Sequence, residues 1–204
     1  MVRKIILIGG APTVGKSYTA RKIAEKLKLP WISTDAIREQ MRKIVRREDY
    51  PNLFLHANAT SNLATEYLTN NSAKEIVSHQ NQESQDVWKG TRAFIETDYV
   101  WNSFIIEGIA VLPELISQLK EKENIVPIFL IDDNIERIRK TIFTRGLWDD
   151  ADKYPDSVKE KEVEWVIEFN NFIKKEAKKH NYSVIEIGNQ KDYLSKIEKL
   201  IKNE

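Results

Sequence analysis

The sequence predicts a three-layer α/β domain on a parallel sheet, and two observations carry that expectation. Short apolar runs rich in Ile and Val alternate with helical patterns, the arrangement of βαβ units. A Gly-rich turn also joins the first such run to the first such helix. Runs at 4–8, 103–106, 125–131 and 183–187 read as strands covered on both faces, with the short 31–33 as a weaker fifth. Pro127 lies inside the run at 125–131, which argues against a central position unless the proline falls near the strand's start. Between the strands, 17–27 places Ala20, Ile23, Ala24 and Leu27 on one helical face. Residues 34–46 turn Ile37, Met41, Ile44 and Val45 inward, and Val87, Trp88, Thr91, Phe94 and Ile95 form a further stripe. Helices are also expected at 113–122, 135–143, 158–179 and 192–201. The interval 46–102 is too long for a bare crossover. It reads as a helical insertion over about 47–102, on the acceptor side, with an exposed polar tract at 70–86.

Composition bounds the function classes. A chain of 204 residues fits one domain over 1–204, since domains hold roughly 100–200 residues. With 41% apolar residues it is too hydrophobic for disorder, and repeats and low-complexity linkers are lacking. The net charge of +1 supplies no global field toward nucleic acid or anionic membrane, so a charged partner must be met by a local patch. The absence of Cys excludes disulfides, thiolate metal sites and cysteine nucleophiles and suits a reducing cytosol; three scattered His disfavour a histidine metal site. The longest apolar run is far short of the ~18 residues that span a bilayer, and the signal-like N-terminal residues are stopped by Gly and Pro, so a cytoplasmic protein is expected. Composition leaves oligomeric state open.

Gly10-Ala11-Pro12-Thr13-Val14-Gly15-Lys16-Ser17 matches G-x-x-x-x-G-K-[ST] between an apolar strand and an amphipathic helix, the context that this phosphate-binding loop requires. Gly10 and Gly15 let the backbone turn so that successive N–H groups face a phosphate chain, and the helix N-terminus, continuing through Tyr18, adds positive potential. Lys16 reaches the β- and γ-phosphates and the Ser17 hydroxyl ligates Mg²⁺. A nucleoside triphosphate, ATP, with Mg²⁺ is the expected cofactor pair.

Three features favour a kinase over a GTPase or motor ATPase: modest size without an N-K-x-D guanine motif, an acid after the second strand, and an arginine stripe. Asp35, in Ser33-Thr34-Asp35, emerges at the carboxyl edge of the sheet, where ligands bind, and can accept the proton of an attacking hydroxyl; it also suits the first turn of the following helix. Arg38, Arg42 and Arg46 recur every four residues. Like charges so spaced repel unless an anion or acidic side chain answers them, so Arg38 and Arg42 are candidates to bind an anionic acceptor, with Glu39, Glu48 and Asp49 as the internal alternative. Glu107 closes the third strand and is a second candidate, as Mg²⁺ ligand or as base; the residues leave that choice open. A basic helix carrying Arg137 and Arg145 runs into a loop with Trp148, Asp149, Asp150, Tyr154 and Pro155, and this segment, about 145–157, reads as a lid whose arginines stabilise the transferring phosphoryl group. Ile187-Gly188-Asn189 is a candidate seat for the adenine.

The P-loop, Ser33-Thr34-Asp35-Ala36-Ile37-Arg38-Glu39, Leu55-His56-Ala57-Asn58, Val87-Trp88-Lys89-Gly90 and Ile106-Glu107-Gly108-Ile109-Ala110-Val111-Leu112-Pro113-Glu114 together resemble the kinase domain of 2-phosphoglycerate kinases, within the nucleoside-kinase-like group that includes zeta toxins and chloramphenicol phosphotransferase. The resemblance covers most of the chain. It implies a P-loop kinase fold with a five-stranded parallel sheet in the order 2-3-1-4-5, Asp35 as the acceptor-activating acid, Arg145 as a lid arginine and a small hydroxylated metabolite as acceptor. The chain departs from the family pattern at Ala57-Asn58 and Ile109-Ala110, which shape the acceptor pocket; His56 is a candidate to line it, with a capping or core histidine as the alternative. Acceptor identity is therefore the open part of the reading, with a zeta-toxin-like, antibiotic or nucleoside kinase as one alternative and a nucleotide switch or polynucleotide end kinase as another.

Overall fold

The computed structural model describes residues 3–55, 57, 60–147, 151–188 and 190–203. Strands β1 (Ile5–Gly10), β2 (Trp31–Ser33), β3 (Phe104–Glu107), β4 (Ile125–Ile131) and β5 (Ser183–Glu186) alternate with helices α1 (Lys16–Leu27), α2 (Thr34–Ile44), α3 (Ser61–Asn70), α4 (Ala73–Glu96), α5 (Pro113–Ser117), α6 (Ile135–Thr144), α7 (Asp156–Lys179) and α8 (Gln190–Asn203). The strands form one five-stranded sheet in the order β2-β3-β1-β4-β5, every pairing parallel, as the resemblance implied. Because all strands run the same way, their carboxyl ends meet at one edge. The central strands are covered on both faces: every residue of β1 and β3 is buried, which is why they read as unbroken apolar runs.

Pro127 sits in β4, between β1 and β5, so the strand is central after all. The Ile5 amide donates to Asn124 O at 2.7 Å and the Ile187 amide to Ile131 O at 2.9 Å, so even-numbered positions along this stretch face β1 and odd-numbered ones face β5. Pro127 therefore turns its missing N–H toward β5, whose pairing begins only at Ile128 opposite Ser183.

The helical faces are where spacing predicted them, but their ends are not. In α1 Thr19, Ala20, Ile23 and Ala24 are buried while Leu27 is exposed, and in α2 Ile37 and Met41 are buried while Ile44 is 81% exposed. Leu27 and Ile44 are the last residues of their helices. Periodicity fixes the angle of a side chain around the axis, and it does not say how far the neighbouring layer extends along it. Val45, also expected inward, is half-buried against the Ile37–Met41–Leu53–Val87–Ala110 cluster.

The polar tract at 70–86 is solvated on one face only. Most of it is the first half of α4, where Ile76, Val77, Glu83, Ser84 and Asp86 are buried, because α4 packs against both α7 and α2. Its start was legible: Ser72 and Glu75 form a reciprocal capping box, the S-x-x-E signature of a helix N-terminus. Helix α3, absent from the sequence expectation, begins at a Thr60 cap whose side chain accepts from the Leu63 amide. The expected helix 113–122 is only the short α5. No described helix is long and apolar enough to cross a membrane.

Candidate active site

At the carboxyl edge, β1 runs through the Gly-rich turn into α1. Gly10 has φ +146°, and a Cβ there would lie 2.3 Å from Leu130 O on β4, so only glycine lets the loop leave the sheet so close to its neighbour. Gly15 is the N-cap of α1 with φ +77°, and Thr13 takes the left-handed region at φ +70°. Ala11 and Val14 are buried in the main core and anchor the loop, while Pro12 is half-buried. No side chain caps α1 and no acid stands in its first turn, so the amides at this helix end remain donors for an anion. Tyr18 is half-buried beside Arg21, whose guanidinium lies 6.0 Å from the ring centre. The Lys16 ammonium folds back over the loop and donates to Ala11 O at 2.8 Å. Burial holds its pKa below the ordinary value, against the pull of the Glu107 and Asp35 charges.

Glu107 ends β3, directly beside Ile8 of β1 and Ser33 of β2, and is 3% exposed. The Ser17 hydroxyl donates to Glu107 Oε1 at 3.0 Å. Burial raises the Glu107 pKa; the Lys16 charge and the Ser17 hydrogen bond oppose the shift, and the Asp35 charge adds to it. Ser17 and Glu107 are hard oxygen donors facing each other at the mouth of the loop. Among the described residues no group of three His, Cys, Asp or Glu could hold a metal by itself. The pair thus fits Mg²⁺, which takes one or two protein oxygens and completes its shell with phosphates and water.

Asp35 reaches the same place from α2. Ser33 caps this helix, its hydroxyl accepting from the Asp35 amide at 3.1 Å and the Ala36 amide at 3.2 Å, and Asp35 is the acid of the first turn. The Asp35 carboxylate, 62% exposed, is left to pair with Arg38 Nη1 at 3.0 Å. Its charge is felt by both Lys16 and Glu107, so loop, strand end and helix start form one electrostatic site. Gly108 locks the last two together: with φ +151°, a Cβ on it would lie 1.8 Å from Thr34 Oγ1.

The arginine stripe divides. Arg42 spends all three nitrogens internally, donating to Leu53 O at 2.7 Å, Glu39 Oε1 at 2.7 Å and Glu83 Oε1 at 2.8 Å. Arg46 lies beyond the helix and pairs with Asp49. Arg38 donates from Nε to Glu39 at 3.2 Å and meets Asp35 through Nη1. Burial works against its charge, and the carboxylates of Asp35, Glu83 and Glu39 outweigh that. Internal acids therefore answer most of the stripe. The residue that sequence reasoning missed is Glu83, which is 3% exposed on α4 and lay in the tract expected to be solvated. Only the tertiary packing of α4 on α2 shows that this acid faces two arginines.

At the ends of β4 and β5, Arg137 is gripped by the buried Asp132 through Nε at 2.7 Å and Nη2 at 2.5 Å, which raises the arginine's pKa. Gly188 follows β5, exposed and with open space where a Cβ would stand. Arg145 is the C-cap of α6 and is exposed at the start of the segment expected to be a lid, which contains a short 3-10 turn at Ala151–Lys153 before α7. His56, Asn58, Trp148, Asp149, Asp150 and Asn189 lie outside the described residues. The structure thus brings Lys16, Ser17, Glu107, Asp35 and Arg38 together, and turns Arg42 to internal contacts.

No protein-family model matches the chain. It is 31% identical, over 98% of its length, to a curated protein named 2-phosphoglycerate kinase from Methanothermobacter thermautotrophicus, of which it covers 64%. It is 34% identical, over 70% of its length, to one of the same name from Methanocaldococcus jannaschii, of which it covers 46%. The chain thus spans about half to two-thirds of the length of these relatives. Among solved structures, a crystal structure of a protein from Thermus thermophilus superposes with a TM-score of 0.55 at 18% identity, covering 100% of this chain and 98% of that one. That likeness bears on fold alone. The sheet order and the Gly-rich loop are those of an α/β P-loop kinase, and in sequence the chain is a relative of proteins named 2-phosphoglycerate kinase.

Proposed function

We propose that this chain is a kinase that moves the γ-phosphate of ATP to a hydroxyl of a small anionic metabolite, with 2-phosphoglycerate as the favoured acceptor. The observation that carries the reading is the Ser17–Glu107 hydrogen bond beside Lys16 at the Gly-rich loop, with Asp35, paired to Arg38, following two residues after Ser33, which stands beside Glu107 in the sheet. The names of the sequence relatives supply the acceptor.

The α1 amides and Lys16 hold the β- and γ-phosphates and stabilise charge that spreads over them during transfer. Ser17 and Glu107 would hold Mg²⁺, which supplies charge neutralisation to the phosphates. Asp35, exposed on the acceptor side, orients the attacking hydroxyl and takes its proton, while Glu107, tied to Ser17, belongs to the metal side. Arg38 pairs with the acceptor's carboxylate or phosphate. Arg145 joins from a lid over about 145–157 that excludes water, Arg137 and Gly188 border the adenosine, and the helices of the 47–102 segment wall the acceptor.

Incubation with ATP, Mg²⁺ and 2-phosphoglycerate is expected to give a bisphosphorylated glycerate, followed by phosphorus NMR. Lys16→Ala is expected to abolish turnover while leaving the circular dichroism spectrum unchanged. Full activity in that variant would overturn the P-loop assignment; ATP binding without product from 2-phosphoglycerate would overturn the acceptor.

A further inference from the structure

The geometry points to Glu83 as a positioning residue for acceptor binding, one that acts on the acceptor through the arginines of α2. The inference rests on the kinase reading above for the acceptor, and on the structure alone for the positioning. Glu83 comes from α4, is buried, and stands across from α2 with both carboxylate oxygens engaged. Oε1 accepts from Arg42 Nη2 at 2.8 Å, and Oε2 accepts from Gln80 Nε2 at 3.2 Å and lies 4.0 Å from Arg38 Nη1. A buried carboxylate is costly unless paired, and here two guanidinium groups offset part of that cost. Burial still lifts the Glu83 pKa against the pull of Arg38 and Arg42.

The consequence is a division of labour on one helix face. Arg42, only 11% exposed, is a strut: Leu53 O, Glu39 and Glu83 take its Nε, Nη1 and Nη2 in turn. Glu39 Oε1 then accepts from Arg38 Nε as well as from Arg42 Nη1, so Arg38 is held through the fixed carboxylate of Glu39 on one side and by Asp35 and Glu83 on the other. Among the described residues the Nη2 group of Arg38 makes no hydrogen bond to protein. It is the donor left for an anion, held in place beside Asp35 before the acceptor arrives. Without Glu83, Arg42 loses its α4 anchor, Glu39 loses its fixed partner, and Arg38 must be ordered at the expense of acceptor affinity.

Steady-state kinetics of Glu83→Ala and Glu83→Gln test this, with 2-phosphoglycerate and ATP varied separately. In Glu83→Ala the KM for 2-phosphoglycerate is expected to rise roughly tenfold, the weight of a charge-assisted hydrogen bond, with kcat and the Kd for ATP changed less than about threefold. Glu83→Gln keeps an oxygen for Arg42 and is expected to recover part of the loss; it also serves if Glu83→Ala does not fold. Tm is expected to fall in either case, since a buried pair is broken; a purely structural role would leave the two substrates affected alike. A folded variant whose KM for 2-phosphoglycerate stays at the wild-type value overturns the inference. If the wild type transfers no phosphate to 2-phosphoglycerate, the kinase reading fails separately, and the arginine Nε–H exchange rates, read by nitrogen-15 NMR, decide the positioning. Faster exchange at Arg38 and Arg42 in Glu83→Gln supports it; unchanged exchange overturns it.

Discussion

Replacing Gly108 by alanine tests the contact that joins the Glu107 strand end to the start of α2. The added Cβ would stand 1.8 Å from Thr34 Oγ1, 2.8 Å from Thr34 Cβ and 3.1 Å from Thr34 Cγ2. Rotation of the threonine side chain relieves the first contact and cannot relieve the second, since Cβ moves only with the backbone. Thr34 is 1% exposed in the first turn of α2, so it has no free space to retreat into. Overpacking of this kind costs about 1–3 kcal/mol, and an L-residue at φ +151° adds strain of about 1–3 kcal/mol. The total of about 2–6 kcal/mol corresponds to a fall in Tm of about 4–24 °C for a chain of this size. Thermal unfolding followed by circular dichroism measures it, and a cycle with Thr34→Gly isolates the contact. The pair should couple by about 1–3 kcal/mol, leaving the backbone strain behind. Because α2 carries Asp35 and Arg38, displacing its first turn is also expected to lower kcat more than roughly tenfold. A Tm within about 2 °C of wild type, or a cycle that is additive within about 0.5 kcal/mol, would refute the steric account.

Two further outcomes follow from the charges. Arg42→Ala leaves Glu83 buried without its main partner and is expected to cost about 3–5 kcal/mol in chemical denaturation, whereas Arg38→Ala should weaken acceptor binding with a much smaller loss; equal losses of stability would contradict the division between strut and ligand. Glu107 has a folded pKa raised above 4.5 by burial, so its stabilising contribution is complete below that value and is lost as pH rises through the folded pKa. Glu107→Gln does not ionise there, so its Tm relative to wild type, without nucleotide or metal, should increase from about pH 4 to about pH 7 while activity is lost. A difference independent of pH would mean that Glu107 is not perturbed by burial.

Much of the nucleotide half of the site was legible in the sequence. Gly10 and Gly15 set the backbone of the turn, and Lys16 and Ser17 open the helix directly after it, all local properties, so spacing sufficed to place the four at the β1–α1 junction. Glu107 and Asp35 were legible as strand-end acids because parallel strands deliver their carboxyl ends to one edge. Their partners were not, because Ser17 meets Glu107 across 90 residues of chain, and no local pattern carries a contact of that range.

The sequence by itself determined the strands, the alternation and the phosphate loop, since each follows from periodicity or from residues next to one another. Tertiary structure decided which charges face one another across elements. The stripe offers Glu39, Glu48 and Asp49 as its local partners, and only the packing of α4 adds Glu83; 70–86 reads as solvated, although one face of it, with Ile76, Val77, Glu83, Ser84 and Asp86, is buried. Pro127 is likewise tolerable in a central strand only because β5 begins one residue later. A side chain's partners across the fold depend on how far elements extend and in what order they pack. Neither quantity is written in the local pattern of polar and apolar residues.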